Sequence, residues 1–88
     1  MNYTVVWLQS AEHELAELWL DASSDRDSIT NASNSIDQLL RSNPESAGES
    51  RSSGRRILFV TPLGAVFRIV PNDRLVIVIR VWRSAKSR

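Results

Sequence analysis

Arg56-Ile57-Leu58-Phe59-Val60-Thr61, Pro62-Leu63-Gly64, Ala65-Val66-Phe67-Arg68-Ile69-Val70, Pro71-Asn72-Asp73 and the run from Arg74 to Arg83 follow one another without interruption. The three long pieces are β-branched and aromatic, and the short pieces between them are built of proline, glycine, asparagine and aspartate. They read as three strands joined by two tight turns, an antiparallel meander. Side chains on a strand alternate between its two faces. The odd positions (Ile57, Phe59, Ala65, Phe67, Ile69, Leu75, Ile77, Ile79, Val81) are apolar throughout and are expected to form the core. The even positions (Arg56, Leu58, Val60, Val66, Arg68, Val70, Val76, Val78, Arg80, Trp82) are apolar too, but arginines interrupt them and a tryptophan ends them.

Upstream, residues 42–54 have no apolar periodicity and read as a flexible loop. Before it, Ile29, Ala32, Ile36, Leu39 and Leu40 recur at helical spacing and end near Arg41. A further helix is expected over residues 11–22, where Ala11, Leu15, Leu18, Trp19 and Ala22 share a stripe and Ser10 occupies an N-cap position. The connection at Ser23-Ser24-Asp25 is short, so the two helices should form an antiparallel hairpin. Tyr3 to Leu8 reads as the opening strand. The expected architecture is α+β: an N-terminal strand, then a helix hairpin packed on one face of a mainly antiparallel four-stranded sheet. Two helices supply one covering layer, which leaves the second, arginine-bearing sheet face open to a partner.

With 88 residues the chain is one domain, residues 1–88, with a basic tail over 84–88. It has no cysteine and one histidine, so disulfide scaffolds, thiol nucleophiles and Cys- or His-rich metal sites are excluded, and no cofactor is expected. The longest purely apolar run, Leu75–Ile79, is far short of the ~18–20 residues that span a bilayer. Met1–Leu8 lacks the charged start and long apolar stretch of a secretion signal, so a cytoplasmic location is expected and the glycosylation-like triplets at Asn2 and Asn31 read as chance.

Charge is divided. Residues 1–49 hold nine acids and two bases, whereas residues 50–88 hold nine bases and one acid. Eight of those nine bases are arginine, the side chain suited to forked contacts with phosphate or carboxylate. Two readings follow: the second half meets an anionic partner, or the halves neutralise each other across the fold. Arg56, Arg68 and Arg80 with Trp82 on one open face would suit nucleic acid, and the valines between them a protein segment. Alternatively the arginine stems cover the sheet and pair with helix carboxylates. His13, between Glu12 and Glu14, reads as a surface residue, and Trp7 and Trp19 as packing. Ser52-Ser53-Gly54-Arg55-Arg56 lacks the lysine and spacing of a nucleotide-phosphate loop.

The order of strand, helix hairpin, loop and three antiparallel strands resembles the RelE/ParE superfamily of bacterial type II toxins. Tyr3-Thr4-Val5-Val6-Trp7 followed by Ala11-Glu12 looks like that family's opening. Gly48-Glu49-Ser50-Arg51, Gly54-Arg55-Arg56-Ile57-Leu58-Phe59, Pro62-Leu63-Gly64, Val66-Phe67-Arg68-Ile69 and Val78-Ile79-Arg80-Val81-Trp82 look like a ParE-like subgroup labelled plasmid-stabilisation proteins. The resemblance covers nearly the whole chain. It implies a toxin neutralised by a small cognate antitoxin, with DNA gyrase or the ribosome and its mRNA as target. The open apolar face is expected to drive homodimer formation when that partner is absent, and no membrane partner is expected.

RelE-like members are metal-independent ribonucleases, whereas ParE-like members inhibit gyrase. Carried over by position, Arg68 matches the family's aromatic-Arg strand motif, and Arg80 and Arg83 match basic positions near the end of the last strand. Many members have a histidine or tyrosine there; this chain has Trp82 and Arg83, and no tyrosine, histidine or carboxylate after residue 74. A ribonuclease needs a proton acceptor and a proton donor, and arginine serves poorly as either. Three readings therefore stand: a toxin that acts by binding, an endoribonuclease with Arg68, Arg80 and Arg83 on the phosphate, and a non-toxic interaction module. The expected contact residues are Arg55, Arg56, Arg68, Val76, Val78, Arg80, Trp82 and Lys86.

Overall fold

The computed structural model describes residues 2–84. In chain order the elements are β1 (Thr4–Trp7), α1 (Gln9–Asp21), α2 (Arg26–Ser42), β2 (Glu49–Ser50), a 3-10 turn at Ser52–Gly54, β3 (Arg55–Val60), β4 (Leu63–Val70), a second 3-10 turn at Pro71–Asp73, and β5 (Leu75–Arg83). The strands form one sheet in the order β1-β5-β4-β3-β2. β1 runs parallel to β5, and the other pairs are antiparallel. The expected α+β architecture is thus observed, with β2 added as a short fifth strand from the segment read as loop. No helix among the described residues is long and apolar enough to cross a membrane.

Both helices lie on one face of the sheet. α2 buries Ile29, Ala32, Ile36 and Leu40, a 3-4-4 spacing that keeps one stripe inward. α1 buries Ala11 and packs Leu15 and Leu18 against the same core. It starts at Gln9, so Ser10 lies inside the helix rather than capping it. Arg26 closes the other end: its Nε donates to the Trp19 carbonyl at 2.8 Å and its guanidinium lies 4.3 Å from the Trp19 ring centre. One side chain thereby satisfies an orphan helix carbonyl and gains a cation–π contact. The outward surface of the hairpin carries Glu12, Glu17, Asp21 and Asp27, all exposed.

The sheet contributes Leu58, Leu63, Ala65, Phe67, Val76, Val78 and Val81 to the core. Trp7 is half-buried above it and donates its Nε1–H to Asp37 at 3.3 Å. The segment between α2 and β3 is tied to the sheet. Pro44 and Ala47 are buried, and Arg56 donates to the carbonyls of Ala47 and Gly48 at 3.2 and 3.3 Å. Gly48 makes this path possible. It sits at φ +70°, and a methyl there would fall 2.2 Å from the Ile57 carbonyl oxygen.

Three turns and offsets decide which side chains face the helices. The β3–β4 turn has two residues, Thr61 and Pro62, with Val60 opposite Leu63. Even positions of β3 therefore share a face with odd positions of β4. The β4–β5 turn has four residues, with Val70 opposite Leu75 and Arg74 in the left-handed region, and parity changes again. Ile79 is then an extra residue between the Phe67–Val78 and Val66–Arg80 pairs. This bulge restores the original parity, so Val78 and Val81 both point into the core.

Candidate functional site

The face away from the helices is uncovered. Register places Phe59, Gly64 and Trp82 in one row across β3, β4 and β5. Ile57, Val66 and Arg80 make the next row, which Glu49 of β2 extends. Arg55, Arg68, Ile77 and Val6 make the third. Phe59 is 58% exposed and Val6 43% exposed, unusual values for large apolar side chains on central and edge strands.

Glycine at position 64 shapes the aromatic row. Its Cα hydrogen faces the Trp82 indole closely enough that a methyl would fall 2.7 Å from ring carbons Cε2 and Cζ2. The indole therefore lies down across β4 and meets the Phe59 ring edge-on, with centroids 6.2 Å apart at 86°. Both rings keep exposed surface beside the row that holds Arg80.

The charges are not alike. Arg55 and Arg68 stand directly opposite each other, both exposed, and neither makes a side-chain hydrogen bond or ion pair among the described residues. Like charges in such a cross-strand pair repel, and an anion seated between them would relieve that cost. Arg51 donates its backbone N–H to the Arg55 carbonyl and pairs its side chain with Glu49 at 3.2 Å. Arg80 reaches over the edge of β5, where its Nε donates to Glu14 of α1 at 2.9 Å.

Several expected contact residues lie elsewhere. Val76 and Val78 are fully buried under the helices, because the four-residue turn puts the even positions of early β5 on the core side. They offer no surface to a partner. Arg56 also points to the helix side and binds the loop carbonyls. Arg83 stands opposite buried Leu63 and pairs with Asp25 at the start of α2, so it does not join Arg68. Lys86 lies outside the described residues. Arg55, Arg68, Arg80 and Trp82 are on the open face by register. Phe59, expected in the core, joins them because the β3–β4 turn is two residues long. Ile57 changes faces with it, and Ile77 does so through the four-residue β4–β5 turn. Glu14 carries no local sequence signal for its role, since its partner is 66 residues away.

Elsewhere, a groove of about 440 Å³ runs between α1 and α2, lined by Leu15, Trp19, Leu20 and Ile29 with Glu12 at its rim. His13 is exposed on α1. Among the described residues no three His, Asp or Glu side chains gather where they could hold a metal ion.

One helical layer on a mixed sheet with a bare, arginine-bearing second face defines an α+β fold of the RelE/ParE type. The chain is similar to the toxin-antitoxin complex RelBE2 from Mycobacterium tuberculosis, at TM-score 0.75 and 21% identity over 94% of this chain and 99% of that one. It is also similar to the chromosomal ParDE TA system from P. aeruginosa, at TM-score 0.73 and 18% identity over 93% and 96% of the two chains. The isolated E. coli RelE toxin aligns at TM-score 0.60 and 19% identity over 97% and 87%. No protein-family model and no curated protein matches the sequence.

Proposed function

We propose that this chain is the toxin of a bacterial type II toxin–antitoxin pair, that its open sheet face meets a macromolecular target, and that an antitoxin neutralises it by covering apolar and basic surface. The observation that carries this reading is the Arg55–Arg68 pair. It is two arginines directly opposite each other in the register, with no ion pair among the described residues, on the same sheet face as exposed Phe59 and half-buried Trp82 and two rows from them. A fold that served only itself would gain by pairing or replacing one of them. The targets that suit such a face are gyrase and the ribosome. Fold similarity to the RelBE2, ParDE and RelE structures supports the toxin class.

Binding is preferred to RNA cleavage. Among the described strand residues of the open face the one carboxylate is Glu49, bonded to Arg51, and Glu14 reaches the edge of that face from α1, bonded to Arg80. Neither stands opposite a proton donor other than arginine, and cleavage needs both an acceptor and a donor. A homodimer through the same face would bring Arg55 and Arg68 of two copies together, so it is expected only at high salt.

The test is viable count after tightly controlled induction in a bacterial host, wild type beside Arg55→Ala/Arg68→Ala. Growth arrest by the wild type and its relief in the double variant support a toxin acting through this face. Arrest by both would move the active surface elsewhere, and growth of both would favour a non-toxic interaction module of the same fold. Among arresting strains, broken DNA with intact RNA identifies gyrase, and the reverse identifies the ribosome and its mRNA.

A further inference from the structure

Arg80 belongs to the open face by register, yet it is not spread over it. It stands opposite Val66, one row from Arg68 on the neighbouring strand. Such diagonal neighbours are about 7–8 Å apart, close enough for both to serve one polyanion. Its side chain instead crosses the edge of β5, where Nε donates to Oε2 of Glu14 at 2.9 Å. The other oxygen of the same carboxylate accepts the Val81 backbone N–H at 3.0 Å.

This clasp has a structural cause. β1 pairs with β5 only as far as Trp7 opposite Val78, and Leu8 N–H closes the ladder on the Val78 carbonyl. Beyond that point the edge of β5 has lost its neighbouring strand, and α1 passes beside it. An edge N–H needs an acceptor, and Glu14 supplies one to Val81. The bulge at Ile79 then puts Arg80 next to that same edge on the open side, within reach of the second oxygen.

We propose that Glu14 restrains the open face by holding and neutralising Arg80 at the sheet edge, which keeps one guanidinium out of the set that meets nucleic-acid phosphate. The inference rests on the reading of this face as the target-binding surface. The Arg80 side chain remains 62% exposed while Glu14 is 29% exposed, so the guanidinium is accessible to a phosphate once the carboxylate's charge is removed. Arg55 and Arg68 carry the standing charge, and Arg80 is held in reserve by the opposite layer. Nucleic acid is favoured over an acidic peptide because Arg80 stands one row from two rings, Phe59 and Trp82, with surface left for a base to stack on.

Glu14→Gln is the informative variant, because its amide oxygen can still accept the Val81 N–H while the charge is gone. The measurement is anisotropy of a labelled short single-stranded RNA across a series of salt concentrations. It compares wild type, Glu14→Gln, Arg80→Ala, Glu14→Gln/Arg80→Ala and Arg55→Ala/Arg68→Ala. Glu14→Gln should bind about three- to tenfold tighter at low salt, the net gain from one added contact at a solvent-exposed site. The slope of log K against log salt should steepen by about 0.7, one more phosphate on a single strand. Both gains should vanish in Glu14→Gln/Arg80→Ala. Unchanged or weaker binding by Glu14→Gln overturns the proposal, and so does a gain that survives without Arg80. If wild type binds no better than Arg55→Ala/Arg68→Ala, the underlying reading of the face fails. A clear Arg55/Arg68 effect with no Glu14 effect refutes the clasp alone.

Discussion

Replacing Gly64 with alanine tests the aromatic row directly. The added methyl would sit 2.7 Å from Cε2 and Cζ2 of Trp82 and 2.9 Å from its Nε1. Carbon atoms pack best at about 3.5–4.0 Å, so the indole must lift by roughly 1 Å or swing off β4. Swinging breaks the edge-on contact with Phe59, worth about 0.5–1.5 kcal/mol. Lifting the ring while it stays packed is overpacking, which costs about 1–3 kcal/mol. Against either loss stands the gain of about 0.5–1 kcal/mol from removing a glycine inside a strand. The balance is a destabilisation of up to about 2 kcal/mol, largest if the ring stays packed on β4, read by urea denaturation. In a Trp82→Ala background the clash is gone while the glycine term remains, so Gly64→Ala should there stabilise by about 0.5–1 kcal/mol. The sign should therefore reverse between the two backgrounds. Equal costs in both would refute the reasoning, and would mean that Trp82 does not lie on Gly64 in solution.

Other expectations follow from the assignment of faces. Phe67→Ala, at a site with no exposed surface, should cost about 3–5 kcal/mol by denaturant titration, whereas Phe59→Ala should cost a small fraction of that. Equal losses would reverse the parity of β3. Trp82→Ala should weaken antitoxin binding by about 2 kcal/mol or more in calorimetric titration, as a hot-spot aromatic does, and unchanged affinity would place that interface elsewhere. Arg68→Ala should raise thermal stability slightly at low salt, by about 0.2–1 kcal/mol, because it relieves the cross-strand repulsion from Arg55. The gain should disappear at 1 M salt, where screening extends over only about 3 Å, and a salt-independent change would mean the two charges do not interact.

The elements were legible in the sequence to the extent that their signals are local. The 3-4-4 stripe of α2 needs only its own residues: Ile29, Ala32, Ile36 and Leu40 are buried, while Leu39, expected on the same stripe, is 41% exposed because it lies off the 3-4-4 spacing. The meander was equally plain from its proline-bearing turns. Facing was not local. A three-residue turn at Pro62-Leu63-Gly64 would give β3 and β4 the same parity; the two-residue turn at Thr61-Pro62 gives them opposite parity and moves Phe59 outward and Leu58 inward. The same argument turns over the first half of β5, and the bulge at Ile79 turns its end back, which is why Arg80, Val81 and Trp82 lie where alternation put them and the residues before the bulge do not. Because both faces of these strands are apolar, composition offered nothing to correct the error. The two charge readings divide between residues: Arg80 and Arg83 pair with carboxylates of the N-terminal half, whereas Arg55 and Arg68 do not.

The same partition gives the molecule a permanent electric dipole. The exposed acids of the hairpin, Glu12, Glu17, Asp21 and Asp27, lie on one side of the sheet, and Arg55 and Arg68 lie on the other. In the field of a polyanion such a body feels a torque as well as a pull. It turns open face foremost over the last Debye length of its approach, about 8 Å at physiological ionic strength. A larger share of collisions then begins in the productive orientation, and the association rate rises without any added contact. The hairpin that supplies Ala11, Ile29, Ala32, Ile36 and Leu40 to the core would then also aim the molecule at the proposed target. Neutralising its acids would leave the binding surface intact and still slow the encounter.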